Sequence, residues 1–400
     1  MTDLAAIVSS LVILASPPAA PVAATPEVPA AVADEAWRES WTDFAFEVAS
    51  AIPTEIHGRD RAKAQHAVVS ALVAQGKLLR ASQLAPAIRG WRQGEALAEI
   101  ALACAKAGKP DEARSLAKQA LALVPSLLDW QRERVNVMVG RVYVWLGEQD
   151  EAKKLEQGVG ESEMGKVAAA RAGKFPAEQF DAQMAGLEGW IKTKNFDLVR
   201  NSVDVALEFY PACLTDAARR GRVETLVAAA NDQLAFDLRV ANLLRMAEIV
   251  RTAGETDAAR SLVAKADAVV TTSTWAPEDA VLQRARVARA KARAGEREQA
   301  LADLEAALAQ FDAAREQIVD IFRAQPLRAV AEAYAELGER DRARAVYMRA
   351  IEEGSRNPNA RPRAEDLSAT ALSLASSGTE PDDAIAARLR AVRAGLAEPW

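Results

Sequence analysis

Little in this sequence marks a catalyst or a metal centre. It holds only two histidines, His57 and His66, and two cysteines, Cys104 and Cys213. Two cysteines cannot build a disulfide framework, and with two histidines they make an unpromising zinc set. Cys104 lies in the helical run Leu-Ala-Cys-Ala and reads as a buried free thiol. Aromatic residues are 5% of the chain, too few for one large aromatic core. No block of one charge stands out: 50 basic residues against 56 acidic ones leave a net charge of -6. That balance offers no basic stripe for nucleic acid. No segment reads as a strand. The β-prone stretch at 269–274 precedes Ala276-Pro277 and reads as a helix end and loop. The apolar run at 4–15 has twelve residues, fewer than the roughly 20 that cross a bilayer.

What the chain has instead is alanine and helix-forming pattern. Half of the 400 residues are apolar, which excludes disorder for most of the length. Alanine buries little surface but lets helices approach closely. The run LAAIVSSLVILA fits the apolar part of a secretory signal, and Val22-Ala23-Ala24 suits cleavage before Thr25. The opening Met-Thr-Asp departs from the pattern, because it lacks the usual Lys or Arg. Residues 1–24 are therefore expected to be a signal peptide and 25–33 a Pro/Ala-rich linker. The expected location is exported, periplasmic or secreted, with the cytoplasm as the alternative if the run is not a signal. Folding is expected from Asp34. There Trp37, Trp41, Phe44 and Val48 form one stripe of an amphipathic helix, expected to cap the open end of the first repeat.

The recurring unit is a helix, a glycine and a second helix. The glycines are Gly76, Gly108, Gly147, Gly254, Gly295 and Gly338. A glycine there closes a helix in the left-handed conformation. Acidic residues often follow, as in GEQDEA and GETDAA, and are expected to cap the next helix. Five residues past each glycine stands alanine: Ala81, Ala113, Ala152, Ala259, Ala300 and Ala343. Seven before it, Ala101, Gly140, Ala247, Ala288 and Ala331 are small, with Val69 the exception. Twelve past it are the apolar Ile88, Ala120, Val159, Ala266, Ala307 and Ala350. Only small side chains fit where two helices joined by a tight turn touch.

These offsets resemble the tetratricopeptide repeat, over roughly residues 59 to 390. Pro125 and Pro211 fall where that family often ends its second helix, and Tyr334 and Tyr347 stand at its aromatic positions. The glycine spacings of 32, 39, 41 and 43 depart from a constant period. Near Lys194 a repeat persists without its glycine, keeping Val199, Val203, Ala206 and Leu207. Residues 212–231 fit no complete hairpin and read as an unpaired helix. Gly378 opens another turn with Asp383 at the alanine site. The expectation is an all-α solenoid of antiparallel helix-turn-helix repeats. It has an N-terminal set at 34–156 with its capping helix, a glycine-containing segment at 157–176 and a C-terminal set at 177–400.

Three features could suggest chemistry. The stretch 160–166, GESEMGK, fits the phosphate-binding loop G-x-x-x-x-G-K. Val167 stands where that loop needs Ser or Thr, no strand precedes it, and Glu161 and Glu163 would meet the phosphates, so it reads as an inter-repeat loop. His57 and His66 are nine residues apart, which on one helix turns the rings to opposite sides. His57 is expected in a loop before Gly58. No serine or cysteine sits in a nucleophile motif. No catalytic residue, cofactor or metal is expected.

The resemblance implies a concave groove lined by the first helices, where such proteins bind peptides or partner surfaces. Its positions put Arg141, Glu248, Arg289, Arg293, Arg328, Glu332 and Glu336 in that groove. The expected function is an exported adaptor that binds a protein or peptide. The alternative is a permanent structural subunit of a cell-envelope assembly.

Overall fold

A computed structural model describes residues 30–157, 160, 167 and 179–400 of the chain. The signal and most of the linker, Val159, and all of the glycine-lysine loop except Gly160 lie outside the described residues. Those residues form helices and turns without a strand among them. In order they are α1 (Ala30–Ala51), α2 (Thr54–Ala74), α3 (Leu78–Leu84), α4 (Trp91–Lys106), α5 (Pro110–Leu123), α6 (Asp129–Leu146), α7 (Gln149–Glu156), α8 (Phe180–Lys192) and α9 (Phe196–Cys213). There follow α10 (Ala217–Asn231), α11 (Phe236–Thr252), α12 (Thr256–Thr272), α13 (Pro277–Arg293), α14 (Arg297–Ala314), α15 (Ala324–Glu336), α16 (Arg340–Gly354), α17 (Ala360–Ser377) and α18 (Asp383–Ala394). The helix α1 starts four residues earlier than Asp34, because Ala30-Ala-Val-Ala continues its pattern without a breaker.

The repeat unit is built at its turn. All six repeat glycines have φ between +73° and +87°. The residue after each donates its N–H to the carbonyl five residues back, as Lys109 does to Cys104 and Glu255 to Val250, both at 2.9 Å. That bond satisfies a carbonyl the helix end leaves free. The turn at 193–195 has the same left-handed conformation without glycine: Lys194 takes φ +57°. Beside the turns, all six alanines five residues on are buried, as are the small residues seven back.

The acids after the glycines do something other than capping. Glu148, Glu255, Glu296 and Glu339 are the N-cap residues of α7, α12, α14 and α16, yet none of their side chains caps the helix. Three of them instead accept arginines from the preceding repeat. Arg114 Nε reaches Glu148 at 2.7 Å, Arg220 reaches Glu255 at 2.6 Å, and Arg297 pairs with Glu339. Arg260 and Arg344 donate to the carbonyls of Ala294 and Glu380 in the next turn. A short glutamate that aims sideways staples two repeats together, whereas a cap would serve only its own helix.

The helices form two layers. The inner one contains α2, α4, α6, α9, α11, α13, α15 and α17, each packed on its described neighbours. The outer one contains α3, α5, α7, α8, α10, α12, α14 and α16. The offsets after Lys194 match those of the second helix of a repeat. The structure places α9 inside: Arg245 of α11 bonds to Asp204 of α9 at 3.0 Å. Outside, Arg222 of α10 bonds to Asp181 and Glu188 of α8, at 2.8 and 2.7 Å. The stretch read as an unpaired helix is α10, and it packs on α9 as the partner of a hairpin. Asp216 caps it, accepting from the N–H groups of Ala218 and Arg219.

The two ends of the solenoid meet. Helix α1 packs antiparallel on α17 as extensively as the helices of a hairpin do. Ser368 Oγ donates to the Ala45 carbonyl at 2.8 Å, both buried, and Arg38 lies against Gly378. Helix α1 packs on α2 as well, so the tryptophan stripe lies between the first repeat and the last. It supplies the missing second helix of the last repeat, which explains why Asp383 need not be a buried alanine. Trp41 is 8% exposed, edge-on to Phe44 at 5.1 Å and beneath the Arg390 guanidinium of α18. Closure makes one apolar cluster of residues near both termini, from Trp41 to Val167 and from Val281 to Leu389. A second cluster runs from Phe180 to Val287.

Two outcomes test this packing. Ala343→Leu forces methylene groups into a site with no exposed surface and should cost about 1–3 kcal/mol in thermal unfolding. Trp41→Ala should cost about 3 kcal/mol. In hydrogen exchange it should deprotect residues 360–377 as well as 30–51; protection lost only in α1 would contradict the closure.

Candidate interaction surface

Parallel inner helices carry charged residues on the face turned away from the outer layer, and these charges are paired from helix to helix. Ser70 Oγ and His66 Nε2 of α2 both meet Glu99 Oε2 of α4, at 2.7 and 3.1 Å. Arg134 of α6 donates to Glu95 of α4 at 3.1 Å. Arg289 of α13 bonds to Glu332 of α15 at 2.8 Å and to Glu336 at 3.3 Å, and Arg293 bonds to Glu336 at 2.9 Å. Arg293 also approaches Glu248 of α11 at 3.9 Å, and Glu248 holds Arg251 at 2.8 Å. Ser373 of α17 donates to Glu332 at 2.6 Å. Most of these side chains are about one-third exposed, so the pairs contribute modestly to stability while fixing the register of neighbouring repeats.

Of the seven groove residues expected from the sequence, five come together here: Glu248, Arg289, Arg293, Glu332 and Glu336. Arg141 lies apart on α6. Burial pulls its pKa down against the pull of Glu208, Asp204 and Glu99, and its Nε has no partner among the described residues. The influence of Glu208 and Asp204 also shows that α6 and α9 approach each other. Arg328 is a correction. It is not a groove side chain but one half of an ion pair with Asp366 at 2.8 Å between α15 and α17, the two being 13% and 14% exposed. Reversing its charge would bury two carboxylates together, at a cost of about 3 kcal/mol or more.

Between α11 and α13 the face opens into a cleft of about 200 Å³. Its apolar lining includes Ala247, Val263 and Ala290, and its walls carry Arg251, Arg286, Arg289 and Arg293 against the single carboxylate of Glu248. Arg286 is exposed and has no ion-pair partner among the described residues. It precedes Arg289 by three residues and Arg293 by seven, which puts the three on one face of α13.

The chain is a helical repeat protein. No protein-family model matches it, and comparison with curated proteins gave no match. One solved structure, described as a circular tandem repeat protein with novel repeat topology and enhanced subunit contact surfaces, aligns with 92% of this chain and 96% of its own at 14% identity and a TM-score of 0.26. The architecture above rests on the packing, not on that alignment.

The histidines do not meet. His57 stands at a kink inside α2, with φ -124° and ψ 31°, rather than in a loop before it, and its Nδ1 is 3.6 Å from Asp60. His66 belongs to the Glu99 pair. Both cysteines are buried and free, and burial raises both thiol pKa values. No group of three metal-binding side chains occurs among the described residues, and none of the described helices is long and apolar enough to cross a membrane.

The inner face gives stability a pH dependence. Hydrogen bonding from Arg251 holds the Glu248 carboxyl below its ordinary value. Burial pushes Glu336 up, but hydrogen bonds from Arg293 and Arg289 outweigh it, and the net shift is again downward. Depressed carboxylates add stability above their unfolded value of 4.5, and that stability is lost as pH falls through the lower folded values. Asp366 acts oppositely: burial raises it despite Arg328, so its ionisation costs stability as pH rises past the ordinary aspartate value. The melting temperature should therefore fall on acidification below about pH 4.5, and Glu336→Gln should flatten that fall. An unchanged slope in the variant would remove this pair from the acid response.

Proposed function

We propose that this protein is an exported adaptor of tetratricopeptide-like build that binds an acidic protein segment on its inner face. The observation that carries the reading is the cleft between α11 and α13, where four guanidinium groups surround an apolar floor and one of them, Arg286, is unpaired. Paired arginines fix the walls in place before a ligand arrives, which lowers the entropy cost of binding. An unpaired one offers a planar fork to a carboxylate of the partner. Export rests on the apolar run at 4–15, and the adaptor role on what such repeats commonly do.

A second reading, a permanent structural subunit of an envelope assembly, is favoured by one observation. Large apolar side chains stay exposed along one rim, including Ile56, Trp130 and Val319. Subunits of lasting assemblies carry such surface, and monomers rarely do.

The adaptor reading is tested with the tagged mature protein, recovered with its bound partner from its own cells. Arg286→Glu changes an exposed side chain and should leave thermal unfolding within about 0.5 kcal/mol of wild type. It should nevertheless weaken partner binding about tenfold or more, and it should weaken the salt dependence of that binding. Equal affinity and equal salt dependence would remove this cleft as the docking surface.

A further inference from the structure

Nine large apolar residues are exposed among the described residues, and all but Leu79 stand at the entry to an inner helix. Ile56 is in the first turn of α2, Leu128 and Trp130 flank the start of α6, and Phe196 and Phe236 open α9 and α11. Val319, Ile321 and Phe322 lead into α15. These entries lie on one side of the ring. The starts of α2, α4 and α6 together line a hollow of about 990 Å³. Phe236 at the start of α11 meets Trp275, just before α13, at 6.0 Å. Asn357, before α17, bonds to Asp320, before α15, at 3.1 Å, and Arg361 of α17 approaches Asp60 of α2 at 3.8 Å.

The rim is also polarised. On the arc formed by α2 and α4, Arg59, Lys63 and Arg89 are exposed and form no ion pair among the described residues. Glu55 of the same hollow is also exposed and without an ion pair among the described residues, so these cations outnumber it three to one. Arg59 and Arg134 both press electrostatically on Arg92 in the same hollow. Across the ring, on the arc formed by the starts of α11 and α13, Asp237, Glu278 and Asp279 are likewise without an ion pair among the described residues. Arg239, which donates to the carbonyls of Leu234 and Asp232, and Arg286, which acts on Asp279, offset them in part and leave the arc net negative.

From this arrangement we infer that the apolar rim is the contact surface of a face-to-face homodimer, in which the basic arc of each copy meets the acidic arc of the other. A twofold axis in the plane of the rim makes the contact isologous, so both charge contacts form at once. The same rotation brings Leu128 and Trp130 over the start of α9, where Phe196 is exposed, and apolar surface covers apolar surface. A lipid surface fits less well, because the three free carboxylates would lie against the membrane. The contact uses the helix starts rather than the cleft between α11 and α13, although Arg286 of that cleft acts electrostatically on Asp279 of the acidic arc.

Sedimentation velocity on the full chain should show a dimer at low salt that weakens as salt rises. Two charge variants sharpen the test. One carries Arg59→Glu, Lys63→Glu and Arg89→Glu, the other Asp237→Lys, Glu278→Lys and Asp279→Lys. Each alone sets like charges opposite one another and should weaken association by on the order of a hundredfold. Mixed together they are complementary at both contacts, and the dimer should return. Circular dichroism of each variant checks that it is folded. A wild type that stays monomeric at all salt concentrations overturns the proposal. So do variants that stay dimeric, or a mixture of folded variants that stays monomeric. A monomeric wild type that floats with phosphatidylcholine–phosphatidylglycerol vesicles would assign the rim to lipid and equally overturn it.

Discussion

The antiparallel packing of α1 on α17 is the contact on which the rest of the architecture depends. A solenoid otherwise ends in two exposed apolar faces, each needing a cap. Here each end is the cap of the other. The exchange places residues more than 320 positions apart in van der Waals contact, as with Ala45 and Ser368. It also brings the two ends of the stack together, so that α17 and α2 become neighbours. In an open array, stability is a sum over adjacent units and the ends fray first. In a ring the terminal repeats are held like internal ones, and the alignment of rims and charge ladders becomes a property of the whole circuit.

That constraint organises the inner face. Neighbouring inner helices run parallel and nearly in register, so their charges stand side by side. Side-by-side charges of one sign would push the repeats apart. The chain avoids this by alternating sign from helix to helix: Glu95 against Arg134, Asp204 against Arg245, Glu332 and Glu336 against Arg289. Each pair is worth little by itself because it is partly solvated. Their sum fixes how one repeat sits on the next, and the turn glutamates do the same for the outer layer. In the cleft between α11 and α13 the alternation holds for Arg251, Arg289 and Arg293, which meet Glu248, Glu332 and Glu336, and Arg286 alone of the four lacks an ion pair among the described residues.

How much of this was legible follows from which interactions are local. The glycine turn is set within six residues, so the six left-handed positions and the buried alanines beside them could be read directly. Lys194 could be read too, because the apolar residues after it keep the offsets even though the glycine is gone. The acids after the turns were misread. A glutamate at an N-cap position looks like a cap in one dimension, and only the neighbouring repeat supplies the arginine that draws it away. The layer of α9 was not legible for a related reason: a tight turn looks the same whether it joins first helix to second or second to first. Closure was not legible at all. The stripe of Trp37, Trp41, Phe44 and Val48 declares that something covers it, but nothing local says that the partner lies near residue 370.

The surface residues show the same boundary. Helical periodicity placed Arg289, Arg293, Glu332 and Glu336 on one face because they are spaced along two helices in the same way. It placed Arg328 there too, one turn before Glu332. What separates the two is Asp366. The closely packed α17 brings a carboxylate over Arg328, and Gly354 makes room for it, since a Cβ there would stand 2.8 Å from the Asp366 Cβ. An arginine that meets its partner in the interior is spent on structure. Arg286 forms no ion pair among the described residues and acts on Asp279 only through its field. Sequence spacing decides which face a charge occupies. Only the fold decides whether that charge is already satisfied, as it is for Arg328.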